Sequence, residues 1–428
     1  MSEVLIRPGK PAAAPAPGTF DRLARKMRKV SLSTKLMMMV FKDPRLLASF
    51  FRHFWPVANL GKFWLISRYD DVMEVLSRNS DFPVPFGPKF EELDPQGINF
   101  ILGMEDNAEY RAIHALMMKV FRLEDIPAIG AYAARRAEAL VAAGDGVIDC
   151  MAGLLTQVPT EIVASYYGVS TDDPDFPLWL LAMNYDSFNL LGGPTFVDDS
   201  ARAGAAHVGP LLDATIARAK LSPPDDRTIL GRMIAAQKDE PKLMTDGVVR
   251  ATIDGFILGF IPTNNRASGQ IMEYLLEHPE MMALAEEAAQ SGDDDYLGRV
   301  LFEVLRFAPI NPGPFRHVAR DTVIAAGTNH ATKVLKGALL MVATQSASFD
   351  PRRVNDPNAF NPNRSVADTM RFGWGQHWCV GFRIAIVQIT QTMKPLLLRG
   401  NIRRVAGKRG QPGYFGLFYE HLHVTYGS

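Results

Sequence analysis

One segment near the C-terminus constrains this chain more than any other: FGWGQHWCVGFRIA at 372–385, in which three glycines surround Cys379. Gly373, Gly375 and Gly381 permit a sharply turning backbone that approaches a flat ligand closely, and an apolar helix follows. Cys379 is then expected at a helix start, where free N–H groups and the helix dipole favour a thiolate. The segment therefore predicts a thiolate in a dry pocket, which is a strong ligand for iron.

Two further interpretations of Cys379 stay open on this residue alone, a buried free cysteine and a zinc ligand. No second cysteine or paired histidine lies at metal-ligand spacing, which argues against zinc. The chain contains only two cysteines, Cys150 and Cys379, far apart in sequence. That usage argues against a disulfide framework and fits a reducing compartment, so we expect a cytoplasmic protein.

The length leaves two domain organisations open, because 428 residues exceed the roughly 250 to 300 at which single cores usually split. Two domains or one large helical domain are possible. Lys plus Arg number 46 and Asp plus Glu also 46, with no long basic run. A nucleic acid partner is therefore not expected, since neutralising phosphates requires clustered cations.

Apolar runs such as 36–41 and 256–262 are far shorter than the roughly 20 residues that a spanning helix needs. The N-terminus lacks the basic-then-apolar order of a secretory signal. We therefore expect no transmembrane anchor. The stretch 35–64 mixes Met, Phe and Trp with Lys and Arg, which leaves peripheral contact with a membrane surface open beside simple burial.

The chain is expected to begin with a flexible tail, residues 1–20, followed by one body, residues 21–428. FWLISRYDDVMEVLSRN, which starts at Phe63, reads as a strand and then a helix with Val72, Val75 and Leu76 at helical spacing. A Pro/Gly-rich loop is predicted at 82–97.

Helical patterns dominate the middle of the chain, 108–284, and clusters of Pro, Gly and Asp predict loops within it at 171–177, 192–199 and 222–226. Short strands are predicted in 315–351. A helix at 381–399, ended by Gly400, and an aromatic hairpin at 413–426 follow. The fold class is mainly α with a small β portion in a single large domain.

The cysteine segment resembles the ligand loop of the cytochrome P450 family, and the resemblance extends over nearly the whole chain after the tail. The matching positions are Phe372, Gly373, Gly375, His377, Cys379, Gly381 and Ala385. The resemblance implies the cytochrome P450 fold and a haem b group, iron protoporphyrin IX, bound through Cys379.

Glu303 and Arg306 lie three apart on one helix face, and alone they would be an ordinary surface ion pair. The resemblance implies instead a buried pair with Arg364 as third member, a bidentate network that holds the cysteine loop.

The resemblance also implies side chains that hold the haem propionates, which need cationic or hydrogen-bonding partners when partly buried. Arg316 and His377 match family positions. The usual His and Arg of an early helix are replaced here by Tyr110 and His114, of which only a protonated His114 would supply charge.

A long helix is predicted from Thr245, which can cap it, to His278, about 50 Å if fully helical. It resembles the helix on the distal face of the haem in this family, and Thr263 matches the oxygen-side alcohol that relays protons. One face of this helix is apolar except for that hydroxyl, and it combines Phe256, Gly259, Phe260 and Thr263.

Pro262 stands where the family usually has an acidic residue. A proline inside a helix lacks an N–H and frees the carbonyl of Leu258, so a kink is expected there. Because Pro262 cannot supply a proton, Asn264, Asn265 or an ordered water is expected to carry the relay; alternatively, the substrate already contains an O–O bond.

Three functions follow from these residues and the resemblance. The first is a monooxygenase that takes O2 and two electrons, the latter from a separate ferredoxin and reductase, because no convincing G-x-G-x-x-G follows a strand. The second is a peroxygenase or a haem enzyme that rearranges lipid hydroperoxides. The third is a non-catalytic haem-binding sensor, against which Thr263 argues.

The substrate is expected to be an apolar small molecule, such as a fatty acid, a terpene or an aromatic compound. Residues in segments that line the family's pocket are Phe86, Phe90, Phe256, Gly259, Phe260, Ile310, Phe415 and Phe418. Each aromatic side chain could equally be packing core. A basic docking surface for the ferredoxin is predicted from cations around the last helix, namely Arg383, Arg399, Arg403, Arg404, Lys408 and Arg409.

Overall fold

A computed structural model of the protein describes residues 18–29, 45–94, 100–222 and 225–427. Numbered in chain order, the α-helices of these ranges are α1 Thr19–Met27, α2 Arg45–Phe54, α3 Tyr69–Ser77, α4 Gly87–Leu93, α5 Ala108–Val120, α6 Ile126–Ala143, α7 Gln157–Ile162, α8 Phe176–Phe188, α9 Thr195–Lys220, α10 Ile229–Asp239, α11 Asp246–Glu277, α12 Pro279–Gln290, α13 Asp294–Phe307, α14 Thr344–Ala347, α15 Val366–Thr369 and α16 Phe382–Arg399.

The strands of the same ranges are short. They are β1 Val57–Asn59, β2 Trp64–Ile66, β3 Val147–Asp149, β4 Phe315–His317, β5 Thr322–Ile324, β6 Thr332–Val334, β7 Leu339–Val342, β8 Arg403–Arg404, β9 Gly413–Phe415, β10 Phe418–His421 and β11 His423–Thr425. The predicted class, mainly α with a small β portion, is confirmed.

The chain divides into two compact units, and the first combines α1 with Phe86–Asn265 and Arg404–Val424. It is mostly helical, and its main helix pair is α8 with α9. Gly204 of α9 allows the two to approach, because a Cβ there would lie 2.9 Å from the carbonyl oxygen of Trp179. The β9–β10 hairpin, which the aromatic pattern at 413–426 predicts, also belongs to this unit.

The second unit contains Arg266–Arg403 and, among the described residues before it, 45–85. Its four-stranded sheet has the order β1-β2-β7-β4, in which only β2 and β7 run parallel. Val72, Val75 and Leu76 of α3 are buried and pack with Ile66 of this sheet, as the helical spacing predicts. Helices α12, α13 and α16 pack against one another in the same unit.

Prolines mark helix starts at two places where loops were predicted. The predicted loop at 82–97 contains α4, and the predicted loop at 171–177 ends inside the first turn of α8. Both helices have proline at their first or second position, where the missing N–H is not needed. The loop predicted at 192–199 is shorter than expected, because α9 begins at Thr195.

The predicted strand and helix at 63–79 and the predicted helix at 381–399 are confirmed as β2, α3 and α16. Gly400 ends α16 with φ at 67°. The predicted boundary between a tail and a body at residue 20 stays a prediction, because residues 1–17 lie outside the described ranges. Among the helices described, none combines the length and apolar character that crossing a membrane requires.

Candidate active site

The cysteine loop is closed by its own backbone and braced by aromatic rings. The N–H of Cys379 donates to the carbonyl oxygen of Phe372 at 2.9 Å. The Phe372 ring lies 5.8 Å from that of Phe302 in α13 and 5.7 Å from that of Phe382 in α16. These contacts fix the loop between two helices of the second unit.

Two of the three loop glycines adopt backbone conformations that other residues avoid. Gly373 and Gly375 have φ values of 84° and 70°, in the left-handed region where a Cβ is strained. A Cβ on Gly375 would also lie 2.9 Å from the carbonyl oxygen of Leu76. The predicted sharp turn of the backbone is therefore present at these two glycines, and their close approach to a flat ligand stays a prediction.

Gly381 differs from the expectation of a sharp turn, since its φ is −89°, which any residue can adopt. A Cβ added to Gly381 would meet no atom within 4 Å. The residue therefore leaves open space beside the loop.

The sulfur of Cys379 lies in a recess. The side chain is exposed, yet burial by the surrounding protein raises the pKa of its thiol, and a hydrogen bond from the backbone N–H of Gly381 opposes that shift. Helix α16 begins at Phe382, three residues after Cys379, and Gly381 is its N-cap residue. The donor to the sulfur is therefore a backbone N–H at the start of this helix, and the thiolate itself stays a prediction.

This recess fits a haem. A reachable sulfur and the open space at Gly381 suit a flat group with a central metal, and Arg316 of β4, in the same unit, has a buried guanidinium, 3% exposed. Three or more His, Cys, Asp or Glu side chains that could hold a metal together occur nowhere in the described part of the chain.

Glu303 and Arg306 form a buried ion pair, each 1% exposed. Nε and Nη2 of Arg306 lie 2.8 and 2.7 Å from the same oxygen, Oε1 of Glu303. Nε of Arg364 lies 3.4 Å from that oxygen. The predicted three-membered cluster is therefore present, but both arginines share one carboxylate oxygen instead of forming a fork on two.

A fourth member, Arg371, was not predicted. Its Nη1 lies 3.7 Å from Oε2 of Glu303, and burial lowers the pKa of Arg371 to about 10. Arg371 immediately precedes Phe372, so this arginine ties the start of the cysteine loop to α13. Its position directly before the FGWG glycines was the signal available in the sequence.

The remaining predicted propionate ligands lie in both units. His377 lies half-buried in a short 3-10 turn, Gly375–His377, of the second unit. In the first unit, Tyr110 is 5% exposed and its ring stacks on that of His114 at 5.7 Å. Their role toward a propionate stays a prediction.

Helix α11 runs without interruption from Asp246 to Glu277, close to the predicted 245–278. Thr245 caps it as predicted, since Oγ1 accepts the N–H of Val248 at 3.3 Å. The helix continues through Pro262.

Asn184 of α8 provides the hydrogen bond that Pro262 removes. Its Nδ2 donates to the carbonyl oxygen of Leu258 at 3.0 Å, the carbonyl that the sequence predicts to be free. Asn184 is 7% exposed, so a water molecule from bulk solvent is a poor substitute. The expected kink stays a prediction.

Thr263 and Gly259 lie one turn apart on α11. They are the accessible members of the face that the sequence predicts, which also includes Phe256 and Phe260. Gly259 is exposed and Thr263 half-buried, and a Cβ on Gly259 would meet nothing within 4 Å. The hydroxyl of Thr263 donates to the carbonyl oxygen of Gly259, which leaves its own oxygen lone pairs to accept a proton or a hydrogen bond.

The two asparagines after Thr263 differ in what they bind. Asn264 Nδ2 donates to the carbonyl oxygen of Phe260 at 2.8 Å, and its buried Oδ1 accepts no hydrogen bond from the described residues. Asn265 bonds both backbone groups of Tyr419, through Nδ2 at 2.7 Å and Oδ1 at 3.1 Å. Asn265 therefore anchors the β9–β10 hairpin, and Asn264 is the better relay candidate.

Several predicted pocket residues pack in an aromatic cluster. The ring of Tyr167 lies 6.2 Å from that of Phe256 and 5.2 Å from that of Phe260. Phe86 packs on Phe188 at 5.0 Å and is 3% exposed.

Phe415 and Phe418 are 0% and 3% exposed in the hairpin. Ile310, in the second unit, is half-buried. For Phe256, Phe260, Phe415 and Phe418 the packing interpretation agrees with the structure.

A cavity in the first unit contains Phe90, one of the predicted pocket residues. It is also lined by residues that the prediction missed, Leu93, Asp94, Phe100, Met183, Ala251, Asp254, Gly255 and Leu258. Asp254 is the unexpected member, a carboxyl group facing an otherwise mostly apolar space. The signal in the sequence was a single charge within ATIDGFILGFIPTNN, the apolar stretch that starts at Ala251.

The six cations predicted to form one docking surface do not all lie together. Arg383 follows the start of α16 and Arg399 ends it, so their Cα atoms are about 24 Å apart at 1.5 Å per residue. A single patch around one end of α16 can include only part of the set.

Comparisons with known proteins show which family and fold the chain resembles. A family model described as cytochrome P450 matches residues 214–403, which include Cys379. Vitamin D(3) 25-hydroxylase from Pseudonocardia autotrophica is 25% identical over 336 residues, 76% of this chain and 77% of that protein.

A bifunctional dioxygenase–epoxy alcohol synthase from Pyricularia oryzae is 27% identical over 157 residues, which are 35% of this chain and 14% of that protein. The crystal structure of the CYP116B5 heme domain from Acinetobacter radioresistens has a TM-score of 0.75 at 17% identity and covers 95% of this chain and 99% of that one. At that identity the likeness shows a shared fold.

Proposed function

Because the chain belongs to the cytochrome P450 family, we propose that it inserts one oxygen atom from O2 into a C–H or C=C bond of an apolar small molecule. As a family member it binds haem b and is an oxidoreductase that incorporates molecular oxygen. In the proposed reaction, O2, two electrons and two protons enter; the second oxygen atom leaves as water.

The observation that carries this proposal is the sulfur of Cys379, reachable in a recess and hydrogen-bonded by the N–H of Gly381. A bound haem supplies the activation of dioxygen, which a thiolate ligand promotes by donating electron density. The hydrogen bond from Gly381 limits that donation, since it withdraws charge from the sulfur. Glu303 and its three arginines hold the segment that leads into the cysteine loop, because Arg364 and Arg371 both precede Cys379 in the chain.

We assign the propionates to Arg316 and His377, with Tyr110 and His114 as further partners. Arg316 is the strongest candidate, because a guanidinium that is 3% exposed is stabilised by an acidic group.

Proton delivery is assigned to Thr263 and Asn264. The hydroxyl of Thr263 is directed along α11 toward Gly259, and the unsatisfied Oδ1 of Asn264 can accept a hydrogen bond from a water molecule. Pro262 contributes no proton and no N–H, so these two side chains replace the usual acid.

A separate ferredoxin and its reductase are proposed as the electron source, and the cytoplasm as the location. Peripheral contact with a membrane is supported by α2, where Leu46, Phe50 and Phe54 are 87%, 53% and 71% exposed. A requirement for ferredoxin in reconstituted turnover tests the proposed electron source. Flotation with anionic vesicles tests the proposed contact with a membrane.

The ligand assignment is tested by the difference spectrum of the reduced, haem-loaded protein with carbon monoxide. We expect a thiolate-type Soret band in the wild type and in Cys150→Ser, and its loss in Cys379→Ser. An unchanged band in Cys379→Ser, or protein that stays colourless when porphyrin and iron are plentiful, refutes the assignment.

The relay is tested with Thr263→Ala, which keeps the helix but removes the hydroxyl. We expect more hydrogen peroxide released per electron pair consumed, with Thr263→Ser close to wild type. Unchanged coupling in Thr263→Ala would remove that role from Thr263.

Pro262 and the relative that carries the name epoxy alcohol synthase favour a second candidate, a peroxygenase or a hydroperoxide-rearranging activity. This activity needs no electron donor, because the substrate or peroxide already contains the O–O bond. Turnover of a lipid hydroperoxide without ferredoxin and reductase, faster than turnover with O2 and both proteins, would replace the first proposal by the second.

A further inference from the structure

An open pocket in the second unit lies between helix α2 and the turn that follows α14. It is lined by Ser49, Arg52 and His53 of α2 and by Pro351 and Arg352 of the turn. Its volume is about 310 Å³, and small-molecule sites begin at about 300 Å³. Two of these lining side chains are guanidinium groups and none of them is acidic, so the pocket suits an anion.

Arg52 is the buried cation of this pocket, 6% exposed. Its Nη1 donates to the carbonyl oxygen and to Oγ of Ser346, at 2.9 and 3.0 Å, and no carboxylate of the described residues forms an ion pair with it. Burial lowers the pKa of Arg52, while the charge of Asp350 raises it and that of Arg352 lowers it. A buried charge without a paired counter-charge is costly, so an anion in the pocket would stabilise this guanidinium.

Asp350 is the acid whose charge acts on Arg52, and other groups already engage its oxygens. Oδ2 accepts the N–H of Tyr69 at 3.0 Å. Oδ1 accepts the backbone N–H and Nη1 of Arg352, at 3.1 and 3.0 Å. The carboxylate of Asp350 therefore balances Arg352 and leaves the charge of Arg52 in excess, to which His53 adds when it is protonated.

The C-terminal end of α2 also borders the pocket, and its carbonyl groups alone would repel an anion. Arg68 removes this obstacle, because its Nε donates to the carbonyl oxygen of Arg52 at 2.8 Å and its Nη2 to that of His53 at 3.3 Å. The positive charge of Arg68 therefore offsets the negative end of the helix dipole next to the pocket.

The same helix presents an apolar face beside the pocket. Leu46, Phe50 and Phe54 are 87%, 53% and 71% exposed, and their spacing of four residues places them on one face. Each residue turns a helix by about 100°, so this face is next to the one that contains Ser49 and His53. A molecule with an anionic group and an apolar chain would contact both faces of α2.

We propose that this pocket binds the phosphate group of a membrane phospholipid, whose acyl chains pack against the exposed apolar face of α2. This inference rests on the membrane contact proposed above and names the lipid group that the protein recognises. A phosphate has several acceptor oxygens, so it can bind Arg52 and Arg352 at once. A soluble phosphate has the same charge but gains nothing from the apolar face.

The test is isothermal titration calorimetry of the haem-loaded protein with dihexanoyl phosphatidic acid, below its micelle concentration, and with inorganic phosphate. We expect the wild type to bind the lipid at least about tenfold more tightly than inorganic phosphate, because only the lipid has acyl chains. In Arg352→Gln the lipid should bind about tenfold more weakly, because one charged donor is lost. Asp350 keeps the two backbone N–H donors of Tyr69 and residue 352 in this variant, so the fold should persist.

Arg353→Gln is the matched control, because Arg353 is the next residue and its guanidinium pairs with Asp70 outside the pocket lining. This variant should bind the lipid like the wild type. Arg52→Gln should weaken binding further, and Arg352→Gln decides the outcome if Arg52→Gln does not fold. Equal losses in the variants of Arg352 and Arg353, or no loss in Arg352→Gln, overturn the proposal.

Inorganic phosphate that binds as tightly as the lipid also overturns the proposal, since the ligand would then be a soluble phosphate. Flotation of the same proteins with vesicles of phosphatidylcholine and phosphatidic acid separates this inference from the membrane contact. We expect the wild type to float and Arg352→Gln to float less. Equal flotation of both proteins overturns the inference and leaves the membrane contact, whereas a wild type that does not float overturns both.

Discussion

Replacing Asn184 by leucine should destabilise the protein, because it removes the hydrogen-bond donor of a buried carbonyl group on another helix. The side chains of asparagine and leucine have the same number of heavy atoms in the same branched arrangement, so the main loss is the 3.0 Å hydrogen bond to the carbonyl oxygen of Leu258. Pro262 provides no N–H to that oxygen, so the variant leaves it buried without a donor. The expected cost is about 1–3 kcal/mol.

This cost should depend on residue 262. In Pro262→Ala the backbone N–H of the alanine can reach Leu258, so Asn184→Leu should then cost only about 0.5–1 kcal/mol. The coupling between the two substitutions is therefore about 1–2 kcal/mol, which a double-mutant cycle isolates.

Thermal unfolding of the four haem-loaded proteins, followed by far-UV circular dichroism, measures this coupling. For 428 residues the entropy of unfolding is about 0.9 kcal/mol per degree, so 2 kcal/mol corresponds to about 2 °C in Tm. Asn184→Leu should lower Tm by about that amount in the Pro262 protein and by about half or less in the alanine protein. The same decrease in both backgrounds would show that Asn184 does not replace the bond that the proline removes.

Further predictions concern the cysteine loop and the buried acid. Glu303→Gln leaves Arg306 and its neighbours without their counter-charge, so we expect a loss of about 3–5 kcal/mol, seen as a lower Tm; an unchanged Tm would contradict it. Gly375→Ala forces a Cβ into a left-handed conformation 2.9 Å from the carbonyl oxygen of Leu76, and should cost about 2 kcal/mol and speed haem loss to apomyoglobin. Burial raises the pKa of Asp254 to about 7 from an ordinary 3.8, so the folded protein keeps this carboxyl group protonated at pH values where the unfolded chain has lost the proton. The resulting contribution to the free energy of unfolding is at most about 4 kcal/mol. It is complete below about pH 4 and is lost as the pH rises through 7. Between these pH values Tm should fall less in Asp254→Asn than in the wild type. If Tm falls equally in both proteins, the carboxyl group of Asp254 is exposed to solvent.

The sequence by itself determined the parts of this protein whose geometry is local. The glycines before Cys379 predict left-handed backbone positions, and Gly373 and Gly375 have them. The position of Pro262 predicts which carbonyl loses its partner, because helical hydrogen bonds join residues four apart. The spacing of Glu303 and Arg306 predicts a pair on one helix turn, and the structure contains that pair.

Only the tertiary structure decided which distant residues complete these features. Asn184 satisfies Leu258 from another helix, Arg371 joins Glu303 across 68 positions of sequence, and Arg250 of α11 binds Asp94. Nothing in the spacing of these residues predicts the contacts, because local rules describe neighbours on one helix or strand. Packing brings together side chains far apart in the chain, and burial then decides which of their charges and hydrogen bonds are satisfied.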